Sequence, residues 1–441
     1  MGDLPGYNLP VSSYVIEGRH RLTGTVRISG AKNSALKLMA ASLMGTGVTV
    51  LENVPRIGDV FTMMEVLERL GACCRLDGDV LRIDTRGELS SEAPYDLVRR
   101  MRASINVLGP LVARRGHARV AVPGGCNIGT RGLNLHERGL EQLGVSFHPN
   151  HGYLEALAPE LVGKRIVLEF PSRGATENIL TAAVLAKGTT VIDNAAREPD
   201  IPDLAAFLNG MGARISGAGT STIEIEGLGR DAALGSTSFR VSPDPIESGT
   251  FALGVLATQG DAELVGARSA DLEIFLEKVA ATGASWSDTP DGVRVSIDHR
   301  PRPVDVVTLP YPGFPTDLQA PMMAYLATAD GTSIITENVF EARFLHVGEL
   351  VRMGADIRTE GHHAVVAGVP RLEGAPVRAM DLRGGAALVV AALGAEGRTE
   401  IHDVHHVERG YEDLTAKLCG LGASVRHIEA LDPEEASAET G

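Results

Sequence analysis

A glycine-rich stretch carries the residues in this chain of 441 that are best suited to covalent or acid–base chemistry. It reads PGGCNIGTR from Pro123 to Arg131, with one thiol at Cys126 and one guanidinium at Arg131. Glycines let a loop backbone approach a ligand closely, and a nearby cation favours the reactive thiolate of a cysteine. We therefore predict that Cys126 is functional rather than an incidental loop residue.

Two helix starts carry cations that suit an anionic ligand. In ISGAKNSAL, Lys32 and Asn33 follow a glycine turn, where a lysine adds its charge to the positive end of the helix dipole. The alternative is a capped surface helix with a solvated lysine. In FPSRGATEN, Ser172, Arg173 and Gly174 open a second helix whose free N–H groups suit a phosphate. Ordinary capping by a serine or threonine explains that pattern equally well.

The second half of the chain offers one carboxylate and three arginines. Asp317 follows the proline-rich stretch YPGFPT at a helix start, a position that suits an N-cap and, more rarely, a general base. Arg343, Arg383 and Arg409 each lie in or beside a junction between a loop and a helix. A single arginine at such a junction is usually solvated. Three at equivalent positions indicate a shared anionic ligand.

A sixfold repeat must position these residues. A helix end of the pattern Leu-x-x-hydrophobic-Gly-Ala, or a close variant, recurs at spacings of 73, 68, 71, 71 and 68 residues. Glycine ends a helix because it adopts the left-handed conformation without a Cβ penalty. The six glycines are Gly71, Gly144, Gly212, Gly283, Gly354 and Gly422. With a glycine-initiated strand such as GVTVLENV before each helix, the pattern predicts two similar α/β domains of three units, with helices inside and sheets outside.

The composition excludes several classes of protein. A formal net charge of −15 argues against binding to nucleic acid or to a membrane surface. The sequence has no uninterrupted apolar span of about 18 residues, so we predict a cytoplasmic protein. The four cysteines show no metal-ligand spacing, and the adjacent Cys73 and Cys74 are predicted to be buried thiols at the start of a strand.

The motifs together resemble those of the enolpyruvyl transferase family, from about Tyr14 to Ile428. In chain order they are SGAKNSAL, RASINVLGPLVAR, PGGCNIGTR, FPSRGATENIL, NAAREPDI, PGFPTDLQA, ENVFEARF, DLR and ERGYED. The resemblance implies two inside-out α/β barrel domains, each of three βαβαββ repeats, with a cleft between them. Domain I would span 32–242, and domain II would combine 1–31 with 243–428. Residues 429–441 are predicted to be a disordered acidic tail.

The resemblance also implies a reaction that needs no metal or other cofactor. The enolpyruvyl group of phosphoenolpyruvate would pass to the 3-hydroxyl of UDP-N-acetylglucosamine with release of phosphate, a step of peptidoglycan precursor synthesis. Cys126 would be the general acid and the site of alkylation by fosfomycin, and Asp317 would accept the hydroxyl proton. The residues expected to hold phosphoenolpyruvate are Lys32, Arg131, Arg409, Arg343 and Arg383. Those expected to contact the nucleotide sugar or support the cleft are Asn33, Arg102, Gly132, Leu133, Asn134, Leu135, Ser172, Arg173, Gly174 and Glu198.

The departures from the family pattern concern the nucleotide. The family's Pro-Val-Asp-Leu-His at the uracil ring is GLNLH here, with Asn134 in place of the aspartate. Arg173 replaces a valine at the diphosphate, and Pro245 replaces the usual arginine after Asp244. Asn134 is both a donor and an acceptor, and Arg173 adds a charge where a terminal phosphate would lie. UDP-N-acetylglucosamine stays the expected acceptor, and Arg173 and Asn134 motivate one alternative, another uridine nucleotide such as UMP in a secondary pathway.

Two further alternatives are disfavoured by the same residues. A non-catalytic binding protein with this fold would have no reason to keep Lys32, Cys126, Asp317 and Arg409 together. The sister family that acts on shikimate 3-phosphate shares the repeats but lacks the loop that carries the cysteine.

Overall fold

The computed structural model describes residues 12–93, 95–98, 100–121 and 132–429 of the chain. The described strands are β1 (Ser13–Glu17), β2 (Thr23–Arg27), β3 (Val48–Glu52), β4 (Cys73–Asp77), β5 (Val80–Asp84), β6 (Glu92–Ala93), β7 (His117–Ala121), β8 (Ser146–Asn150), β9 (Tyr153–Leu157), β10 (Arg165–Val167), β11 (Lys187–Asp193), β12 (Ile215–Ser216), β13 (Thr222–Leu228), β14 (Ser238–Arg240), β15 (Asp261–Val265), β16 (Ser285–Asp288), β17 (Gly292–Ser296), β18 (Val306–Val307), β19 (Thr332–Thr336), β20 (Asp356–Glu360), β21 (His363–Ala367), β22 (Pro376–Arg378), β23 (Arg398–His402) and β24 (Ser424–Ile428).

Helices alternate with these strands along the chain. They are α1 (Lys32–Ala41), α2 (Gly58–Arg69), α3 (Tyr95–Val98), α4 (Leu108–Arg115), α5 (Asn134–Gln142), α6 (Arg173–Val184), α7 (Asp200–Gly210), α8 (Pro245–Ala257), α9 (Glu273–Ala281), α10 (Gln319–Leu326), α11 (Val347–Arg352), α12 (Leu382–Gly394), α13 (His405–Glu408) and α14 (Leu414–Gly420). Short 3₁₀ turns cover Ser42–Met44, Arg102–Val107, Ser269–Asp271 and Thr316–Leu318.

The described strands form six sheets of four strands with one common arrangement. The strand orders are β14-β3-β5-β4, β6-β7-β9-β8, β10-β11-β13-β12, β2-β15-β17-β16, β18-β19-β21-β20 and β22-β23-β1-β24. In the first of these, β3 pairs antiparallel with β5 of a hairpin and parallel with β14. In the last sheet β1 occupies the place of β5, antiparallel to both β23 and β24. The N-terminal strand therefore belongs to the C-terminal repeat, as the resemblance implied.

Glycine follows the helix that precedes β4, β8, β12, β16, β20 and β24, as the repeat pattern predicts. The six repeat glycines have φ values between 93° and 107°. This left-handed region is disfavoured for any residue with a Cβ, so the spacing of these glycines records six copies of the same helix-to-strand turn. The prediction of six equivalent α/β units is confirmed.

The described chain divides into two compact units, each with its own hydrophobic core. Residues 12–28, 245–309 and 314–429 form one, here called the terminal unit, and residues 29–244 with 310–313 form the other, the central unit. In the central unit the innermost helices are α1, α4 and α6, and in the terminal unit they are α8, α10 and α12. Every residue from Ala175 to Val184 and from Arg383 to Leu393 is buried. Helices buried on all sides lie inside the sheets, which is the inside-out arrangement expected from the sequence.

Candidate active site

In the terminal unit, two buried arginines hold one carboxylate between them. Asp317 lies in the 3₁₀ turn just before α10. Its Oδ1 accepts a hydrogen bond from Nη2 of Arg343 at 2.7 Å, and its Oδ2 accepts one from Nη2 of Arg383 at 3.1 Å. Both arginine side chains are 5% exposed, and that of Asp317 is 24% exposed. Guanidinium groups are planar donors that suit a carboxylate or phosphate, so two of them at one place could hold an anionic substrate.

A buried glutamate fixes the orientation of the Arg343 guanidinium. The Glu337 carboxylate accepts hydrogen bonds from the backbone N–H groups of Val339 at 2.8 Å and Phe340 at 3.0 Å. Its Oε2 accepts a hydrogen bond from the Thr316 hydroxyl at 2.8 Å. The Thr316 oxygen in turn accepts a hydrogen bond from Nη1 of Arg343, also at 2.8 Å. Because these links are directional hydrogen bonds, and Glu337 and Arg343 are both buried, they orient the arginine.

The Arg383 guanidinium is positioned by the start of its own helix and by a tyrosine. Asp381 caps α12 by accepting hydrogen bonds from the backbone N–H groups of Arg383 at 2.9 Å and Gly384 at 3.0 Å. Nη1 of Arg383 donates to the Tyr411 hydroxyl at 3.1 Å, and that hydroxyl lies 2.8 Å from the hydroxyl of Thr250. Three elements of the terminal unit therefore determine where this second arginine points.

Two alternatives given for these residues from the sequence are wrong: that Asp317 caps a helix, and that the arginines are solvated. Asp317 is not the N-cap of α10, because that position is Leu318 and no side chain caps the helix. Arg343 and Arg383 are buried rather than solvated. Arg409 follows α13 and is half-buried, and its predicted contact with phosphate stays a prediction.

Lys32 is buried at the start of α1 in the central unit. Its Nζ lies 2.6 Å from Oδ2 of Asp59, and its backbone N–H donates to Oδ2 of Asp244 at 3.1 Å. The lysine side chain is 10% exposed, so the alternative of a solvated surface lysine is wrong. Asn33 follows it and is half-buried. A desolvated ammonium at a helix N-terminus attracts anions more strongly than an exposed one.

The start of α6 combines ordinary capping with an additional charge. Ser172 is the N-cap, and its hydroxyl accepts the backbone N–H of Ala175 at 3.4 Å. Nε of Arg173 lies 3.8 Å from Oε1 of Glu198, and its Nη2 lies 3.6 Å from Oδ1 of Asp200. Capping by Ser172 therefore occurs, and the charge of Arg173 faces two carboxylates of the protein itself.

His136 joins the two segments predicted to bind the nucleotide. Its Nδ1 lies 3.0 Å from Nδ2 of Asn178 on α6, and its ring lies so close to Gly174 that an added Cβ there would be 2.9 Å from Cε1. Burial, with a smaller contribution from the charge of Arg102, lowers the pKa of His136 to about 4. The ring is therefore a neutral spacer at physiological pH, and it holds residues 132–136 beside the start of α6.

The leucines of the predicted uracil segment point into the protein. Leu133 belongs to the core of the central unit, and Leu135 packs against that core. Asn134 is the first residue of α5, and its Oδ1 would lie 2.8 Å from a Cβ placed on Gly132. The segment is thus anchored by its apolar side chains, which leaves its backbone and the Asn134 amide as the groups suited to contact a base.

Cys126 and Arg131 lie outside the described residues. Of the other cysteines, Cys73 is exposed and Cys74 is half-buried, so the prediction of two buried thiols is wrong. Burial raises the pKa of Cys74 to about 12, which disfavours a reactive thiolate there.

Several polar residues that the sequence reasoning missed are buried beside the predicted ones. Lys37 contacts Glu177 and Asp200, Asp59 pairs with Lys32, and Glu337 supports Arg343. A signal was available, because a charged residue within an otherwise apolar helix, such as Lys37 in KNSALKLMAA, is rarely solvated when the helix is buried.

Two properties of the described residues bear on the class of protein. Nowhere in residues 12–93, 95–98, 100–121 and 132–429 does a helix have both the length and the apolar character needed to cross a membrane. Within the same ranges, His, Cys, Asp and Glu side chains form no group of three or more placed to hold a metal ion.

The six-sheet fold, with buried arginines in one unit and a buried lysine in the other, agrees with what the comparisons with known proteins show. The chain matches the model of the EPSP synthase (3-phosphoshikimate 1-carboxyvinyltransferase) family over residues 16–418, and it belongs to that family of carboxyvinyl-transferring enzymes. It is 50% identical to UDP-N-acetylglucosamine 1-carboxyvinyltransferase 2 of Carboxydothermus hydrogenoformans over 95% of this chain and 100% of that protein. It is 51% identical to UDP-N-acetylglucosamine 1-carboxyvinyltransferase of Mycolicibacterium paratuberculosis over 94% of this chain and 99% of that protein.

Solved structures give the same result for the fold. The enolpyruvyl transferase NikO from Streptomyces tendae is similar with a TM-score of 0.86 and 28% identity, covering 96% of this chain and 100% of that one. An EPSP synthase from Acinetobacter baumannii has a TM-score of 0.72 at 16% identity, covering 95% of this chain and 100% of that one. The predicted family and the predicted fold class are confirmed.

Proposed function

We propose that this chain transfers the enolpyruvyl group of phosphoenolpyruvate to the 3-hydroxyl of UDP-N-acetylglucosamine, releasing phosphate, as a step of peptidoglycan precursor synthesis. The observation that carries the proposal is identity of 50–51% to proteins named for that activity, over almost the full length of both chains. Identity this extensive includes the central unit, where the nucleotide would bind. Within this proposal, the acidic chain is a cytoplasmic enzyme that binds no nucleic acid.

The proposed roles follow from the charges in each unit. In the terminal unit, Arg343 and Arg383 bind the carboxylate of phosphoenolpyruvate, and Asp317 accepts the proton of the acceptor hydroxyl. Lys32, Arg131 and Arg409 are the proposed ligands of the phosphate of phosphoenolpyruvate. Fixed cations of this kind stabilise charge that develops in the transition state, and they act most strongly where water is excluded.

The nucleotide sugar is assigned to the helix starts of the central unit. The segment from Gly132 to Leu135 contacts the base, the segment from Ser172 to Gly174 contacts the phosphates, and Asn33 and Glu198 contact the sugar. Arg102 supports this region through its position near His136. The adjacency of the second segment to His136 supports the assignment, because one ligand must reach both segments.

The reaction is an addition followed by an elimination. The acceptor oxygen forms a bond to C2 of phosphoenolpyruvate, its proton passes to Asp317, and C3 gains a proton for which Cys126 is the proposed general acid. Loss of a proton from C3 and departure of phosphate from C2 then restore the double bond in the product. Both steps are acid–base chemistry at positioned groups.

UMP has less support as the acceptor. The case for it depended on Asn134 and on Arg173, whose guanidinium lies near Glu198 and Asp200 of the protein itself. The stronger ground is that the relatives with 50–51% identity are named for UDP-N-acetylglucosamine as the acceptor.

The decisive experiment measures phosphate release from phosphoenolpyruvate with four acceptors in parallel: UDP-N-acetylglucosamine, UMP, uridine and shikimate 3-phosphate. We expect turnover with UDP-N-acetylglucosamine, and a product one enolpyruvyl group heavier by mass spectrometry. Efficient turnover of UMP with negligible turnover of the nucleotide sugar would overturn the proposed acceptor. Phosphate release that needs no acceptor would overturn the transfer reaction itself.

A further inference from the structure

One buried ammonium ties together three helix starts in the central unit. Lys37, on the second turn of α1, places its Nζ 2.5 Å from Oε1 of Glu177 on α6, and it also pairs with Oδ2 of Asp200, the first residue of α7. The exposed fractions of these side chains are 7%, 4% and 7%. Because the three residues lie on three separate helices, the cluster is a set of tertiary contacts that forms only when the central unit folds.

Each of these helix starts also carries residues assigned to the substrates. Helix α1 begins with Lys32 and Asn33, and α6 begins at Arg173 after the Ser172 cap. Glu198 lies two residues before α7, and it shares the Arg173 guanidinium with Asp200. A chain of charges therefore runs from the buried Lys37 to the partly exposed Arg173, through the groups that would meet the nucleotide sugar.

We propose that Lys37 is a positioning residue for the sugar nucleotide, holding the starts of α6 and α7 against α1 through Glu177 and Asp200. This inference rests on the proposed function, because it concerns the same acceptor site. Lys37 itself is buried and acts through the elements that it joins, so it is not assigned contact with the substrate.

The physical case is that Lys37 compensates the charge of two buried carboxylates. Glu177 depends on it more than Asp200, which also lies near Arg173. Removing one partner of a buried ion pair leaves the other charge desolvated and uncompensated. Burial lowers the pKa of Lys37 to about 8, against the opposing effect of Glu177, so most of the lysine is charged at neutral pH. Burial raises the pKa of Glu177, so without the ammonium this carboxyl takes up a proton or turns towards water, and the link that holds the start of α6 to α1 is lost.

A second connection keeps α7 on α1 when Lys37 is lost. The Ser34 hydroxyl donates to Oδ2 of Asp203 at 2.7 Å, and the Ser242 hydroxyl donates to Oδ1 of the same residue at 2.8 Å. We therefore expect a Lys37 variant to fold, with its displacement concentrated at the start of α6.

The test compares Lys37→Met with the parent and with a matched control. The control is Lys417→Met, which removes a lysine whose Nζ lies 2.6 Å from the buried Oε1 of Glu247 in the terminal unit. The measurements are the Kd of UDP-N-acetylglucosamine by calorimetry, the KM of each substrate and the midpoint of thermal unfolding. For Lys37→Met we expect the Kd and KM of the nucleotide sugar to rise about tenfold or more, because a buried charge loses its partner, with little change in the KM of phosphoenolpyruvate.

The control separates positioning from general destabilisation. Lys417→Met should lower the midpoint of thermal unfolding without selectively weakening the binding of the nucleotide sugar. Lys37→Arg, which keeps the charge, should recover part of the lost affinity. If Lys37→Met fails to fold, Glu177→Gln is judged by the same criterion. Unchanged sugar-nucleotide binding, or equal weakening of both substrates, overturns the inference. A parent protein that binds the sugar nucleotide but transfers no enolpyruvyl group to it would contradict the proposed function. The Kd values of the variants would still test the positioning role of Lys37.

Discussion

The Asp317 carboxylate is held by Arg343 and Arg383, and the variant Asp317→Asn tests whether it accepts a proton in the reaction. Asp317→Asn keeps the size of the side chain and one oxygen for Arg343 or Arg383, but it removes the carboxylate that accepts a proton. We expect turnover to fall by roughly 10²–10⁴-fold, the range for losing a positioned acid–base group. Steady-state phosphate release with saturating substrates measures the change.

The control for Asp317→Asn is another aspartate of the terminal unit that pairs with an arginine. Asp330 lies 3.0 Å from Arg300, and its side chain is 76% exposed, so Asp330→Asn should leave turnover near that of the parent. An Asp317→Asn protein that is stable and fully active would show that the carboxylate serves the structure alone.

Cys126 should be the thiol that fosfomycin alkylates. Its predicted reactivity depends on the glycine-rich stretch and on Arg131, five residues later. Incubation with fosfomycin and UDP-N-acetylglucosamine should add one inhibitor mass to the peptide that contains Cys126, as read by peptide mass spectrometry.

The exposed Cys73 and Cys419 provide an internal comparison for this labelling. Fosfomycin is recognised by the site rather than by thiol exposure alone, so these two residues should stay unmodified. Label on either of them, with Cys126 unmodified, would contradict the prediction.

At the level of secondary-structure elements, His136 makes the contact between α5 and α6 sensitive to pH. Its pKa is lowered from 6.5 to about 4, so the unfolded chain binds the proton more tightly than the folded protein does. The stabilisation is complete above pH 6.5 and is lost as the pH falls from 6.5 towards 4. Between pH 7.5 and pH 5, this one group should cost about 2 kcal/mol of the free energy of unfolding. Urea unfolding at the two pH values measures it.

The variant His136→Gln isolates this contribution. It should be less stable than the parent at pH 7.5, because its contact with Asn178 is altered, but it should lose about 2 kcal/mol less on acidification. His20, which is exposed, gives the matched control His20→Gln. If His136→Gln and His20→Gln lose the same stability between the two pH values, the buried imidazole is not the source.

The sequence predicts elements better than it predicts their partners. Gly71 and its five counterparts mark helix ends because the left-handed conformation is a local requirement that one residue type satisfies. The helix that starts at Lys32 was also predictable, because a run of apolar residues is likewise a local property of the sequence. The ion pairs of Lys37 were not, because Glu177 and Asp200 lie on helices that meet it only after the whole unit has folded. The contacts of Asp317 were missed for the same reason, since Arg343 and Arg383 are distant from it in sequence.

Across the whole molecule, substrate binding should stabilise the two units unequally. Each unit has its own hydrophobic core, and the segments proposed to contact the sugar nucleotide all lie in the central unit. A ligand at 100 times its Kd stabilises the state that binds it by about 2.7 kcal/mol. Amide hydrogen exchange should therefore slow most at residues 132–136, at Arg173 and Gly174, and at Glu198 and Asp200 when UDP-N-acetylglucosamine is added.

The reason is that these backbone N–H groups belong to helix starts, where the first amides of a helix have no partner within it. Ligand phosphates that accept hydrogen bonds from them should protect them beyond the general gain in stability. Phosphoenolpyruvate alone is the comparison, because it should give much less protection at residues 132–136. If the sugar nucleotide protects amides only in the terminal unit, the acceptor does not bind at these helix starts. The positioning role proposed for Lys37 would then be wrong as well.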